Sequence, residues 1–232
     1  MKKKSKRNLP APEPPPNAED YILVRTKEGP YWRRKRGSVK KATLNKRLQH
    51  NADTTAFFNN AAKKIKDKLE EFLRGLETGR FIANVSGKLK SAYNRRGEFD
   101  FSLLQGYELQ PYHPLSTLLT YNCQVLDNDQ QLTITLPIDA YTIKQLNPSV
   151  SAYYVELILL YGDPSTTNGL KLDSDISRLY TFKEKAGTTC RLSLEMPGNK
   201  IPWMLLLKVS CHEGDSPAGH CRHYGMKIIK TG

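Results

Sequence analysis

Between residues 57 and 76 the apolar side chains Phe57, Ala61, Ile65, Leu69, Phe72 and Leu76 follow one another at intervals of four, four, four, three and four. That spacing keeps a single stripe on one side of a 3.6-residue turn and predicts an amphipathic helix. Asp53 is placed to cap its start and Gly75 to end it. After the turn at Glu77-Thr78-Gly79, Ile82, Val85 and Leu89 mark a second amphipathic helix ending near Asn94, so the two stripes predict an antiparallel helical pair. From about residue 115 the period falls to two, as in Leu132-Thr133-Ile134-Thr135-Leu136, where alternate side chains point to opposite faces of a strand. Further strand-like runs occupy 118–126, 153–161, 178–184, 190–196, 202–211 and 223–230. Turn clusters such as Asp127-Asn128-Asp129, Gly162-Asp163-Pro164-Ser165 and Pro197-Gly198-Asn199 separate them. Short runs punctuated in this way predict an antiparallel β-sandwich.

Ahead of the helices, the stretches 21–25 and 31–34 flank Lys27-Glu28-Gly29-Pro30 and read as a short hairpin. Ser38 is then a candidate N-cap for a helical stretch over 39–49. Residues 8–18 are proline-rich; proline lacks the N–H and fixes φ, so this stretch makes neither a helix nor a central strand. The fold class expected is α+β, with a short N-terminal β-hairpin and amphipathic helices followed by an antiparallel β-sandwich. The expected organisation is a disordered basic and proline-rich arm over 1–18, a basic hairpin with helices over 19–97, a connector over 98–114, and the sandwich over 115–232.

Charge sharpens this division. Residues 1–97 carry 25 Lys+Arg against 9 Asp+Glu, a net of +16, and residues 98–232 carry 11 against 14, a net of −3. A basic field confined to one region attracts polyanions without specifying the fold. The basic start, Met1 to Arg7, runs into Asn8-Leu9-Pro10 with no apolar segment behind it, which does not read as a secretory signal, and no window is apolar enough for a spanning helix. A cytoplasmic location is the expectation. On that basis Cys123, Cys190, Cys211 and Cys221 are expected to be reduced thiols ahead of a disulfide framework.

Two clusters suggest chemistry. The densest basic run, Arg33-Arg34-Lys35-Arg36 with Lys40 and Lys41 after it, has Tyr31 and Trp32 beside it. Guanidinium groups next to aromatic rings suit phosphate neutralisation and base stacking; the plainer alternative is a solvated hairpin whose two rings pack on the following helix. The second cluster is Cys211-His212 and His220-Cys221-Arg222-His223. Thiolate and imidazole are the ligands zinc prefers, yet the spacing fits no standard knuckle. The cysteines more simply lie near the facing ends of one hairpin, free or bonded, so no metal and no cofactor is expected. Asp163, Asp173 and Asp175 read as a solvated loop, lacking the spaced ligand series of a calcium site. No Gly-x-Ser-x-Gly, phosphate-cradling loop or His-Glu-x-x-His is present, so catalysis is not expected.

The segments Ala61-Ala62-Lys63-Lys64-Ile65-Lys66-Asp67-Lys68-Leu69-Glu70-Glu71-Phe72-Leu73-Arg74-Gly75-Leu76-Glu77-Thr78-Gly79-Arg80, Ser86-Gly87-Lys88-Leu89 and Phe101-Ser102-Leu103-Leu104-Gln105-Gly106-Tyr107-Glu108-Leu109-Gln110 resemble a group of proteins from Bacteroidota bacteria. The resemblance covers about residues 20–120. It implies a basic hairpin, paired helices and a strand-rich C-terminal half, and carries no assigned activity and no site residues. The functional expectation is a non-enzymatic structural or interaction protein that docks an anionic partner on a basic helical surface. That partner is expected to be a protein ahead of nucleic acid, because no nucleic-acid module motif appears; a homo-oligomer is compatible with the sequence. The alternatives are a nucleic-acid-binding, capsid-like protein and an exported adhesive or carbohydrate-binding sandwich.

Overall fold

The computed structural model of the chain describes residues 10–26, 28–35, 45–120, 124–128, 130–139, 141–183, 187–198 and 200–232. The chain forms two compact units, Met1–His50 and Asn51–Gly232.

In the first unit, β1 (Tyr21–Thr26) and β2 (Gly29–Arg34) pair antiparallel, with Tyr21 opposite Arg34 and Thr26 opposite Gly29. The expected hairpin is present. Thr26 secures the turn: its hydroxyl donates to the Gly29 carbonyl at 2.8 Å and accepts from the Glu28 N–H at 3.3 Å. An isolated two-stranded hairpin is marginal in water. Here the proline-rich segment supports it, because the Trp32 indole N–H donates to the Pro12 carbonyl at 2.9 Å.

Helix α1 (Lys46–Lys68) both starts and ends earlier than its sequence pattern suggested, stopping at Lys68 and not at Gly75. Its cap is Asn45, whose side-chain oxygen accepts from the Leu48 N–H at 2.9 Å, so Asp53 lies within the helix instead of starting it. The expected Ser38 cap lies outside the described residues. The buried stripe is Phe58, Ala61, Ala62, Ile65 and Leu69, while Phe57 is 43 % exposed. Three successive intervals of four, from Phe57 to Leu69, drift around a 3.6-residue helix, and the stripe follows the geometric period by taking Phe58. A 3-10 turn over Glu70–Leu73 then carries Phe72 inward. Gly75 follows that turn with φ +83°, and a Cβ there would stand 2.8 Å from the Tyr224 ring. Helix α2 (Phe81–Arg96) ends at Gly97, whose left-handed backbone directs its N–H to the Tyr93 carbonyl.

The remaining elements are α3 (Leu115–Leu118), β3 (Gln124–Asn128), β4 (Gln131–Ile138), β5 (Ala152–Gly162) and β6 (Leu170–Ile176), then β7 (Tyr180–Thr181), β8 (Thr188–Glu195), β9 (Trp203–Glu213), β10 (Ser216–Pro217) and β11 (Tyr224–Thr231). Strands β3, β4 and β8 form one antiparallel sheet in that order. A larger sheet runs β10-β9-β5-β6, with β11 also paired to β9 and β7 to β5. Of the run expected as a strand over 118–126, Leu118 closes α3, Leu119 makes an isolated bridge to Ile143, and β3 occupies Gln124–Asn128; residues 121–123 lie outside the described residues.

Strands β5 and β9 are buried on both faces, and this decides the architecture. Tyr153, Val155, Leu157 and Leu159 of β5, with Leu205, Leu207 and Val209 of β9, pack against Leu132, Ile134 and Leu136 of β4 and Leu192 and Leu194 of β8. The alternate residues Ile158, Leu160, Met204 and Leu206, joined by Met226 and Ile228 of β11, pack against Ile65, Leu69, Phe81, Val85 and Leu89 of the helices. The second unit is therefore three layers: a β-sandwich whose larger sheet carries the helical pair on its outer face. The expected break near residue 97 marks a change of charge and of period, whereas the compact units divide at residue 50 and the helices share a core with the sheet. The connector 98–114 also joins the sheet: Gly106 donates to the Ile228 carbonyl, Ile228 to Tyr107 and Leu109 to Met226, which covers the outer edge of β11.

Candidate functional site

The aromatic and basic run singled out in the sequence falls on β2 and the residues after it. Because side chains alternate across a strand, the run cannot present one surface. Tyr31 and Arg33 share a face with Val24 and Ile22 of β1, which stand opposite them. Trp32 and Arg34 lie on the other face with Leu23 and Tyr21. On the first face Tyr31 is 47 % and Ile22 39 % exposed, and Arg33 is exposed beside them. Trp32 is half-buried and bonded to the proline-rich segment, so of the two rings Tyr31 is the one offered to solvent. That arrangement differs from both sequence expectations, since neither had the two rings in separate roles. Lys35 donates its backbone N–H to the Asp20 carbonyl and leaves its side chain exposed. Arg36, Lys40 and Lys41 lie outside the described residues.

The basic residues on the helices are partly engaged. Lys64 Nζ donates to the Ser165 and Thr166 carbonyls at 3.0 and 2.9 Å, and Lys88 Nζ donates to the Leu103 carbonyl at 2.9 Å. These two lysines hold loops of their own unit, while Lys63, Lys68, Arg74 and Arg80 are exposed.

The Cys/His cluster is dispersed. Cys211 packs in the core between the sheets, and His212 turns to the opposite face, its ring 5.4 Å from that of Tyr154. His220, Cys221 and His223 lie in and beside a 3-10 turn, where the Cys221 sulfur is 3.6 Å from His220 Nδ1. That nitrogen also accepts the Arg222 N–H, and His223 Nε2 accepts from Arg222 Nε at 3.3 Å. Sequence reasoning missed three neighbours of this turn. The His113 ring stands 6.2 Å from that of His220, the Glu77 carboxylate faces Cys221, and fully buried Gln110 accepts from the Glu77 N–H and donates to the Cys221 carbonyl. They come from segments more than a hundred residues away from Cys221, so no local spacing signals them. Among the described residues no group of three Cys, His, Asp or Glu side chains has the geometry to hold a metal ion. Burial, then Arg222, pushes His223 below the ordinary imidazole range, which favours the neutral ring that accepts from Arg222.

Cys190, Cys211 and Cys221 are free thiols. Burial pushes Cys211 up to about 12 and raises Cys190; burial and the Glu77 carboxylate raise Cys221. Only the thiolate is nucleophilic, so iodoacetamide at about pH 8 is expected to leave Cys190 and Cys211 unmodified in the folded protein and to alkylate both in denaturant, as read by mass spectrometry. Because the folded Cys211 thiol titrates above its ordinary value of 9.0, its contribution to stability is complete below that pH and is lost as pH rises toward about 12.

Of the Asp residues read as a solvated loop, Asp163 lies in one and the other two do not. Asp173 and Asp175 lie on β6, and the Asp175 carboxylate accepts the Ser193 N–H of β8 at 2.9 Å, tying the two sheets at one edge. A cleft of about 590 Å³ on the second unit is lined in part by Phe99, Trp203, Lys200, Glu98, Asp100 and Asp163. Asp100 and Asp163 there accept the N–H groups of Ser102 and Ser165. Among the described residues no helix is long and apolar enough to cross a membrane. No protein-family model, no curated protein and no solved structure matches the chain.

Proposed function

We propose that the chain is a non-enzymatic interaction protein that docks an anionic partner through its basic N-terminal unit, with the three-layer second unit as a stable body. The observation that carries this reading is the concentration of charge. Residues 1–50 hold 15 Lys+Arg against 4 Asp+Glu, a net of +11, whereas residues 51–232 hold 21 against 19, a net of +2. A field that dense steers polyanions to one end of the chain and leaves the rest nearly neutral. The hairpin adds a surface on which Arg33 stands beside the exposed Tyr31 and Ile22, the combination of guanidinium and amphipathic ring that supplies binding anchors. The reading centres the docking surface on the hairpin and its flanks, which hold the sequence-selected Tyr31, Trp32, Arg33, Arg34 and Lys35.

Retention of the full chain on immobilised heparin tests the reading. Elution is expected to need elevated salt, with affinity falling linearly in log–log form as salt rises. The triple variant Arg33→Ala, Arg34→Ala, Lys35→Ala is expected to elute earlier, with a shallower slope. Flow-through of the unaltered protein at low salt sinks the proposal.

A further inference from the structure

We infer that the anionic partner is single-stranded nucleic acid, with a base stacked on Tyr31 and a phosphate beside Arg33. The inference rests on the docking role proposed above and names the partner for it. Tyr31 and Arg33 are two residues apart on one strand, which sets ring and guanidinium on the same face roughly 7 Å apart along the strand. A base and a neighbouring phosphate can span that separation. Val24 and Ile22 stand opposite them on β1 and add apolar neighbours on the same face.

The surroundings of the ring suit a base. A concavity of about 490 Å³ adjoins Tyr31, bordered also by Thr26, Glu28, Gly29 and Pro30. Tyr31 offers the aromatic ring on which a planar base can stack. Glu28 adds an exposed carboxylate at the rim, an acceptor for the exocyclic amino group of cytosine, adenine or guanine. Charge supports the same choice: a unit of net +11 over 50 residues gains most from a partner of regular, high charge density, through counterion release. The partner is single-stranded because duplex bases are already stacked and cannot reach a ring on an open strand face, whereas unstacked bases stack on aromatic side chains irrespective of sequence.

The test uses the full chain and fluorescein-labelled oligo(dC), with oligo(dT), duplex DNA, polyglutamate and heparin as competitors, read by fluorescence anisotropy. Oligo(dC) is expected to bind and to be displaced poorly by polyglutamate. Tyr31→Ala and Tyr31→Leu are expected to weaken oligo(dC) binding about 5- to 150-fold, the range for one stacked base, with Tyr31→Phe within about two-fold of the unaltered chain. Retention on heparin is expected to be unchanged by the Tyr31 variants, because heparin has no base to stack. Arg33→Ala is expected to reduce the salt slope by about 0.7. Glu28→Ala is expected to abolish any preference for oligo(dC) over oligo(dT), the latter lacking an exocyclic amino group. Equal binding of oligo(dC) by the Tyr31→Leu and unaltered chains overturns the inference, as does tighter binding of polyglutamate. In both cases heparin retention leaves the docking role standing. Loss of heparin retention in the unaltered chain removes both.

Discussion

Replacing Glu156 by alanine is expected to lower the free energy of unfolding by about 3–5 kcal/mol, read as a fall in the denaturant midpoint. Glu156 of β5 and Lys208 of β9 are cross-strand partners, with Nζ 3.1 Å from Oε2 and the two side chains only 12 % and 6 % exposed. Both lie on the helix-facing side of the larger sheet, where Lys208 Nζ stands 5.9 Å from the centroid of the Phe72 ring. Removing the carboxylate leaves an ammonium group in an apolar layer with a ring face as its nearest compensation, and an unpaired buried charge costs far more than the pair contributes. The double replacement Glu156→Leu with Lys208→Met removes both charges and keeps volume. It is expected to recover most of the loss, because a buried ion pair and a packed apolar pair differ little in net stability. A single-variant loss below about 1 kcal/mol, the range of an exposed pair, would show that water reaches the site.

The second large effect tests the three-layer arrangement. Leu157→Ala and Ile158→Ala are each expected to cost about 2–5 kcal/mol, since both side chains are fully buried and each truncation leaves a cavity. These neighbours point to opposite faces of β5, Leu157 into the space between the sheets and Ile158 against the helices. In a half-buried strand one of the two would be solvent-facing and its replacement nearly neutral, within about 0.5 kcal/mol. Equal, large losses at adjacent positions therefore report burial on both sides. Chemical unfolding followed by far-ultraviolet circular dichroism measures both. An Ile158→Ala variant as stable as the unaltered chain would mean that the helical layer contributes nothing to the sheet.

Periodicity carried much of the fold. The stripe through Ile65, Leu69 and Phe72 is a helical signal that any packing partner would use, and Leu132, Ile134 and Leu136 alternate because one face of β4 is buried. The hairpin was legible from its turn residues. What failed was instructive. The stretch 170–176 alternates apolar with Asp, Lys and Ser, so its charge masked a strand at the edge of the larger sheet, where one face is free to be polar. The turn expected at Gly162-Asp163-Pro164-Ser165 is present at Pro164 and Ser165, with Gly162 still on β5. Phe57 was placed on the helical stripe and Phe58 left off, because exact intervals of four overrun the true helical period. At the candidate site, the sequence showed which residue types were concentrated but not which of them share a surface. Tyr31 and Trp32 looked equivalent until the register of β1 with β2 put them on opposite faces and the Pro12 carbonyl engaged Trp32.

By itself the sequence determined the α+β class, the hairpin, the two helices, most of the strands and the concentration of positive charge at the N-terminal end. Each of these follows from local spacing or from simple counting, which need no knowledge of partners distant in the chain. Tertiary structure alone decided that the helices close the outer face of the larger sheet, because the near-continuous apolar runs of β5 and β9 show that two faces are buried without saying what covers each. It alone dispersed Cys211, His212 and Cys221, and brought Glu77, Gln110 and His113 to the last turn. Contacts over such separations depend on how sheets stack and which edge a connector covers, and no local pattern encodes either.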